Sequence, residues 1–161
     1  ERHIVKRSNP SRAILPTPSS HELPTLRSLV SHHPVPAGVL VGTIVLGLPH
    51  VLLDDATSVL VAAFTLTYIA GIYVGFAILK GSETAVSVEA IVAALYTLLA
   101  LLGVLINRWL IPVGLVAHAV WDYAHHRQHA ALTDLPRWYI PFCIVVDCVL
   151  ALLLAVLWTV R

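Results

Sequence analysis

The chain has 161 residues, of which 58% are hydrophobic and only 12% charged, with a mean hydropathy of +0.83. A soluble domain of this length carries about 25% charged residues, so a water-solvated globule is excluded and lipid is the expected solvent. The net charge of +1 makes no case for nucleic acid, and the length allows one domain.

Residues 1–34 form a polar amino-terminal tail with prolines at 10, 16, 18, 24 and 34. No apolar signal-peptide core occurs in it, so no cleavage by that route is expected. Leu23, Leu26, Leu29 and Val30 recur at helical spacing, with Pro24 suited to a first turn. The segment is read as an interfacial helix on the lipid headgroups, or else as a disordered tail.

Residues 35–161 are expected to form an all-α, polytopic membrane bundle of about five transmembrane helices. Apolar runs occupy 36–53, 57–79, 86–106, 109–126 and 138–160. Each lies near the roughly 20 residues needed to cross the hydrocarbon. Helices are the expected element because lipid offers backbone groups no hydrogen-bond partners. The first run is interrupted by Pro49-His50, and the fourth is the least apolar. There is no internal repeat and no low-complexity tract. Cys143 and Cys148 share the fifth run, about 140° apart around a helix, and should not bridge.

Loop charges orient the bundle. One side carries Arg2, Lys6, Arg7, Arg12, Arg27, Lys80, Arg127 and Arg137; the other carries Arg108 and Arg161. The bias places the amino terminus in the cytoplasm and the carboxyl terminus outside. Trp109, Trp138 and Trp158 fall near span ends, where indole favours the interface. Lys80 is read as a snorkelling anchor.

A charge inside hydrocarbon costs several kcal/mol, which makes intramembrane ionisable residues functional candidates. With His118 as zero, Asp122 lies at about 40°, His125 at −20°, His126 at 80° and His129 at 20° around the helix. All point to one face, one turn above another. Imidazole and carboxylate together suit zinc, iron or manganese. His118, Asp122, His125 and His126 are therefore candidate ligands of a divalent metal ion. His126 and His129 taken singly also read as solvated histidines at a loop end.

Depth supplies an independent check. His118 and Asp147 of the last run both lie roughly 12 to 14 Å from the cytoplasmic end, by helical rise. Glu89 of the third run lies near the level of Asp122. Asp122, Asp147 and Glu89 are the candidate catalytic groups, completing a metal shell, orienting ligands or acting as a base. The competing explanation is hydrogen-bonding glue between helices. Cys143, one turn before Asp147, reads as a small apolar filler. Tyr68 and Tyr73 face different directions, and Tyr73 reads as an ordinary span residue, a hydroxyl offered to a cavity being the alternative. His50, Asp54 and Asp55 read as a solvated turn with a helix-capping role, the alternative being a weak cation site on the outer side.

The stretch His118-Ala-Val-Trp121-Asp122-Tyr-Ala-His125-His126 reads H-x-x-W-D-x-x-H-H, and Trp138-Tyr139-x-Pro141-Phe142-Cys143 leads on to Asp147. This resembles a family of small prokaryotic integral membrane proteins of unassigned function, over about residues 110–150. The resemblance implies a multi-span membrane protein and supplies no activity. His125-His126-x-x-His129 is also similar to a reversed histidine box of membrane di-iron hydroxylases and desaturases. Those families use several boxes, whereas here His32-His33 is the only other pair.

The expected function is a membrane-embedded, metal-dependent enzyme acting on a lipophilic substrate at a His/Asp site in the cytoplasmic half. The alternatives are a metal-free acid/base isomerase or cyclase, a proton or metal-ion transporter, and an accessory subunit of a larger membrane complex. Expected partners are membrane lipid, a lipophilic small molecule, and further copies or subunits.

Overall fold

The computed structural model describes residues 26–127 and 135–161, excluding the side chains of Leu26, Arg27 and His126. Among these residues every regular element is helical. A short helix, α1 (Leu26–His32), lies within the segment read as a tail; Leu23, Pro24 and the rest of that segment are outside the described residues.

The first span runs Pro34–Leu52. It comprises α2 (Pro34–Leu40), a π-helical stretch Val41–Gly47 and α3 (Pro49–Leu52). Pro49 has no N–H and crowds the carbonyl four residues back. The preceding turn widens in response: Leu48 N donates to Thr43 O, five residues back, at 2.7 Å. Leu53 then turns to extended backbone and ends the element. Four helices follow: α4 (Asp55–Lys80), α5 (Glu83–Leu105), α6 (Leu110–Arg127) and α7 (Tyr139–Val160). Asp54 caps α4 by accepting from Thr57 N at 3.0 Å and Thr57 Oγ1 at 2.6 Å. Ser82 caps α5 in the same manner, through Ala85 N at 3.1 Å.

Among the described residues, four helices are long and apolar enough to cross a membrane: the first span, α4, α5 and α7, with mean hydropathies of 1.9, 2.0, 2.3 and 2.8. The 18-residue α6 is not among them, since its second half carries the histidines and Asp122. It nonetheless runs the length of the bundle. At one end Trp109, just before it, meets Trp158 of α7 edge to face at 6.4 Å. At the other, His125 bonds Glu89 of α5. The molecule is thus an all-helical membrane bundle in which a polar-faced helix is screened by apolar ones.

Packing explains the order around the bundle. The first span lies on α7 because Gly38 and Gly42, one turn apart, present no side chain there. A Cβ on Gly38 would stand 2.8 Å from Phe142 O, and one on Gly42 would stand 3.2 Å from Val146 O. Small residues four apart are how membrane helices bring backbones together, where van der Waals contact must replace the hydrophobic effect. The far side of α7 packs on α6, and α6 on α4 and α5. Leu66, Ile111, Leu115, Leu150 and Leu154 fill the common core.

The end of the bundle away from the α6 histidines is closed by polar clasps. Trp158 Nε1 donates to Ser58 Oγ at 3.0 Å, and His50 Nδ1 shares a hydrogen bond with the same hydroxyl at 2.9 Å, its direction set by the His50 tautomer. His50 is 1% exposed, which corrects the expectation of a solvated turn; the capping role belongs to Asp54 alone. The reason is the short α3, which folds the His50 ring inward onto α4. Arg108 donates to Trp158 O and Asp55, while Arg161 donates to Val51 O and Leu53 O.

Candidate metal centre

The site grows from one face of α6. His118 and Asp122 stand one turn apart, with Nδ1 and Oδ1 at 3.6 Å. From α7, Asp147 Oδ2 reaches His118 Nδ1 at 2.8 Å. From α4, the Tyr73 hydroxyl donates to Asp122 Oδ1 at 2.5 Å. His118, Asp122 and Asp147 are 2%, 0% and 2% exposed. The edge-on rings of Tyr96 at 5.2 Å and Tyr73 at 5.7 Å box in the His118 imidazole.

A second layer lies one turn further along α6. His125 Nε2 and Glu89 Oε1 of α5 are 2.7 Å apart, and Trp121 Nε1 donates to Glu89 Oε2 at 3.4 Å. His125 Nδ1 faces Trp121 O at 3.1 Å. Tyr73 joins the layers: its hydroxyl holds Asp122 while its ring lies 5.1 Å from that of His125.

His118, Asp122 and Asp147 each offer a ligand atom, and these atoms lie within 4.8 Å of one another. A cation among them would take the place of the proton between His118 and Asp147. It would meet one imidazole and two carboxylates, a donor set that zinc, iron and manganese accept. An observation inside the site fits such a guest: among the described residues, Asp122 Oδ2 is a buried oxygen with no hydrogen-bond partner. A buried carboxylate oxygen left bare costs free energy, and native structures leave few such atoms unexplained.

The structure brings together three of the residues expected from sequence: His118, Asp122 and Asp147. Glu89 is buried at the predicted end, but it pairs with His125 rather than with the Asp122 level. Azimuth decides this, because His125 points back toward α5 while Asp122 is turned toward α4 and meets Tyr73. His125 therefore has its Nε2 on Glu89 and stands outside the three-residue cluster. The His126 side chain and His129 are outside the described residues. Cys143 and Cys148 are free thiols, and Cys143 lines a cavity beside Asp147.

Sequence reasoning offered a Tyr73 hydroxyl in a cavity only as an alternative, quoted Trp121 only as part of the H-x-x-W-D-x-x-H-H stretch, and passed over Tyr96. A signal for Tyr73 exists: Ala62, Leu66, Ala70, Tyr73 and Ala77 recur at helical spacing and are all buried. A tyrosine set in a stripe of alanines stands where α4 meets its neighbours and needs a partner for its hydroxyl. Trp121 is one turn before His125 on α6, so it shares the face that meets Glu89. Comparison with protein families, curated proteins and solved structures finds no match.

Proposed function

We propose that this protein is a membrane-embedded, divalent-metal-dependent enzyme acting on a lipophilic substrate, with His118, Asp122 and Asp147 as the metal ligands. The observation that carries this reading is the bare, buried Asp122 Oδ2 inside a cluster of three ligand atoms. A bound zinc, iron or manganese ion would supply Lewis-acid polarisation or an activated water. The protein's own residues supply the rest. Tyr73 fixes the Asp122 carboxylate by its hydrogen bond, as outer partners fix ligating carboxylates elsewhere. Glu89 and His125, one turn away and hydrogen-bonded to each other, form a pair able to take up or release a proton. The enclosing rings of Tyr73 and Tyr96 limit water around His118.

Lys80, Arg127 and Arg137 lie at the site end, and the Arg108 and Arg161 side chains are tied to Asp55 and main-chain carbonyls at the other. By the positive-inside rule the site belongs to the cytoplasmic half, with the amino terminus inside and the carboxyl terminus outside.

The test is elemental analysis of detergent-purified protein. We expect about one transition metal per chain, since a preformed buried ligand set binds tightly. The metal should be lost in His118→Ala and Asp122→Ala, and chelation should lower the unfolding temperature. Protein that is folded and metal-free after growth and purification with added metal overturns the reading. That result would favour a second one, supported by the closed His118–Asp147 hydrogen bond: acid/base catalysis by the same residues without metal.

A further inference from the structure

Beside the metal cluster lies a cavity of about 350 Å³, within the range of small-molecule sites. The first span packs on α7 and leaves a cleft toward α4. Val41 and Leu46 form one wall, Phe64 and Tyr68 the other, and Phe142 lies along the floor. His118 and Asp147, both buried, line the cavity together with Cys143 and Tyr139.

The cleft opens sideways. Phe64 and Tyr68 are 70% and 62% exposed on the flank of α4. Phe64 is nine residues from the start of α4, and Ile72, the last α4 residue of the lining, is eight from its end. By helical rise the mouth is therefore about 12 Å from either end of that helix. A mouth at that depth faces acyl chains and not water.

The lining also selects. It contains no lysine or arginine, and Asp122 stands behind Asp147. A divalent cation there is already neutralised by the two aspartates, and no other cation lines the cleft to offset a carboxylate or phosphate end taken out of water, whereas an uncharged oxygen can be held by imidazole or by the cation without that desolvation cost. A methylene is about as large as a water in the liquid, about 30 Å³, so the cavity of about 350 Å³ holds one chain of roughly twelve carbons and not two.

We propose that a single-chain lipid with an uncharged oxygen end, such as a long-chain alcohol or aldehyde, enters sideways between the first span and α4 and presents that end to His118 and Asp147. This names the substrate class of the enzymatic site proposed above and rests on that reading.

The experiment is photolabelling in lipid nanodiscs with a dodecanol carrying a diazirine in mid-chain, mapped by peptide mass spectrometry, with metal content measured on the same samples. The label is expected on α4 around residues 64–72 and on α7 around residues 139–146. Excess dodecanol should compete and dodecanoate should not. Thr65→Trp, which fills the cleft from its wall, should cut the label about tenfold while the metal stays bound. Label spread over the lipid-facing side of α5, at Ile91, Leu95 and Leu98, and insensitive to competitor overturns the proposal on wild-type protein alone, whatever the variant does. Equal competition by dodecanoate overturns the choice of an uncharged end. Metal-free protein that still labels in the cleft overturns the metal-enzyme reading instead, so the two failures are separable.

Discussion

At the scale of single residues, Tyr73 carries the most weight for its size. It is 1% exposed, and its hydroxyl is the only hydrogen-bond donor reaching Asp122 Oδ1 among the described side chains. Tyr73→Phe leaves a buried carboxylate with both oxygens bare in metal-free protein. We expect a loss of about 1.5 to 3 kcal/mol, the worth of a hydrogen bond to a charged group, read as a lower unfolding temperature in detergent. Tyr68→Phe, on the exposed side of the same helix, should leave the unfolding temperature unchanged. Asp54 gives a second case outside the spans. The Thr57 hydroxyl, and after it the Thr57 N–H, hold its carboxyl below the ordinary value of 3.8. A depressed folded value means the cap contributes fully above that pH and is lost as pH falls through the lower, folded value. The stability gap between wild type and Asp54→Ala should therefore be constant from neutral pH to about pH 4 and close in stronger acid, as followed by thermal melts across a pH series. That His118 and Asp147 lie at one depth was legible from helical rise alone, whereas Glu89, placed at the level of Asp122, meets His125 one turn away. That Tyr73 would meet Asp122 was not legible, because nothing in a chain 49 positions apart says which helices become neighbours.

At the scale of elements, the first span is held to α7 by the absence of side chains. Gly42→Leu puts a branched side chain where Val146 O and the Val149 side chain already stand. Overpacking of this kind costs about 1 to 3 kcal/mol, and here it also pushes the span away from the cavity wall. Gly71 of α4 has nothing within 4 Å of a Cβ, so Gly71→Ala should be neutral or stabilising by up to about 1 kcal/mol, the helix-propensity gain. Melting both variants side by side separates a packing glycine from a lipid-facing one. The contrast was not legible in the sequence, where the two glycines have equally apolar neighbours. The helices themselves were: each apolar run maps onto one helical rod within a few residues, including the π-helical stretch before the proline noted as an interruption.

At the scale of the whole molecule, the described residues form five helical rods, four of them long and apolar enough to cross a membrane; an α6 that also crosses puts the start of the first span and the end of α7 on opposite faces. The decisive element is α6, too polar to qualify by hydropathy yet extending from Trp158 at one end to Glu89 at the other. A periplasmic reporter fused after Arg161 should be active and one fused at the amino terminus inactive. Activity of both on the same side would mean that α6 does not cross. Truncation before α7 should abolish metal binding and bundle stability together, because α7 supplies Asp147 and the surface on which both the first span and α6 pack; metal retained by the truncated protein would contradict the ligand set.

Lipid solvent, helical elements, their approximate bounds, the charge bias of the loops and a polar face on α6 all follow from local pattern, because each depends only on residues within one helix. The pairing of His118 with Asp147, the diversion of Glu89 to His125, the burial of His50 and the cleft beside the first span depend on which helix faces which. That choice is made by side-chain volume at the contacts, above all by Gly38, Gly42 and the alanine stripe of α4, and it exists only once the helices have packed.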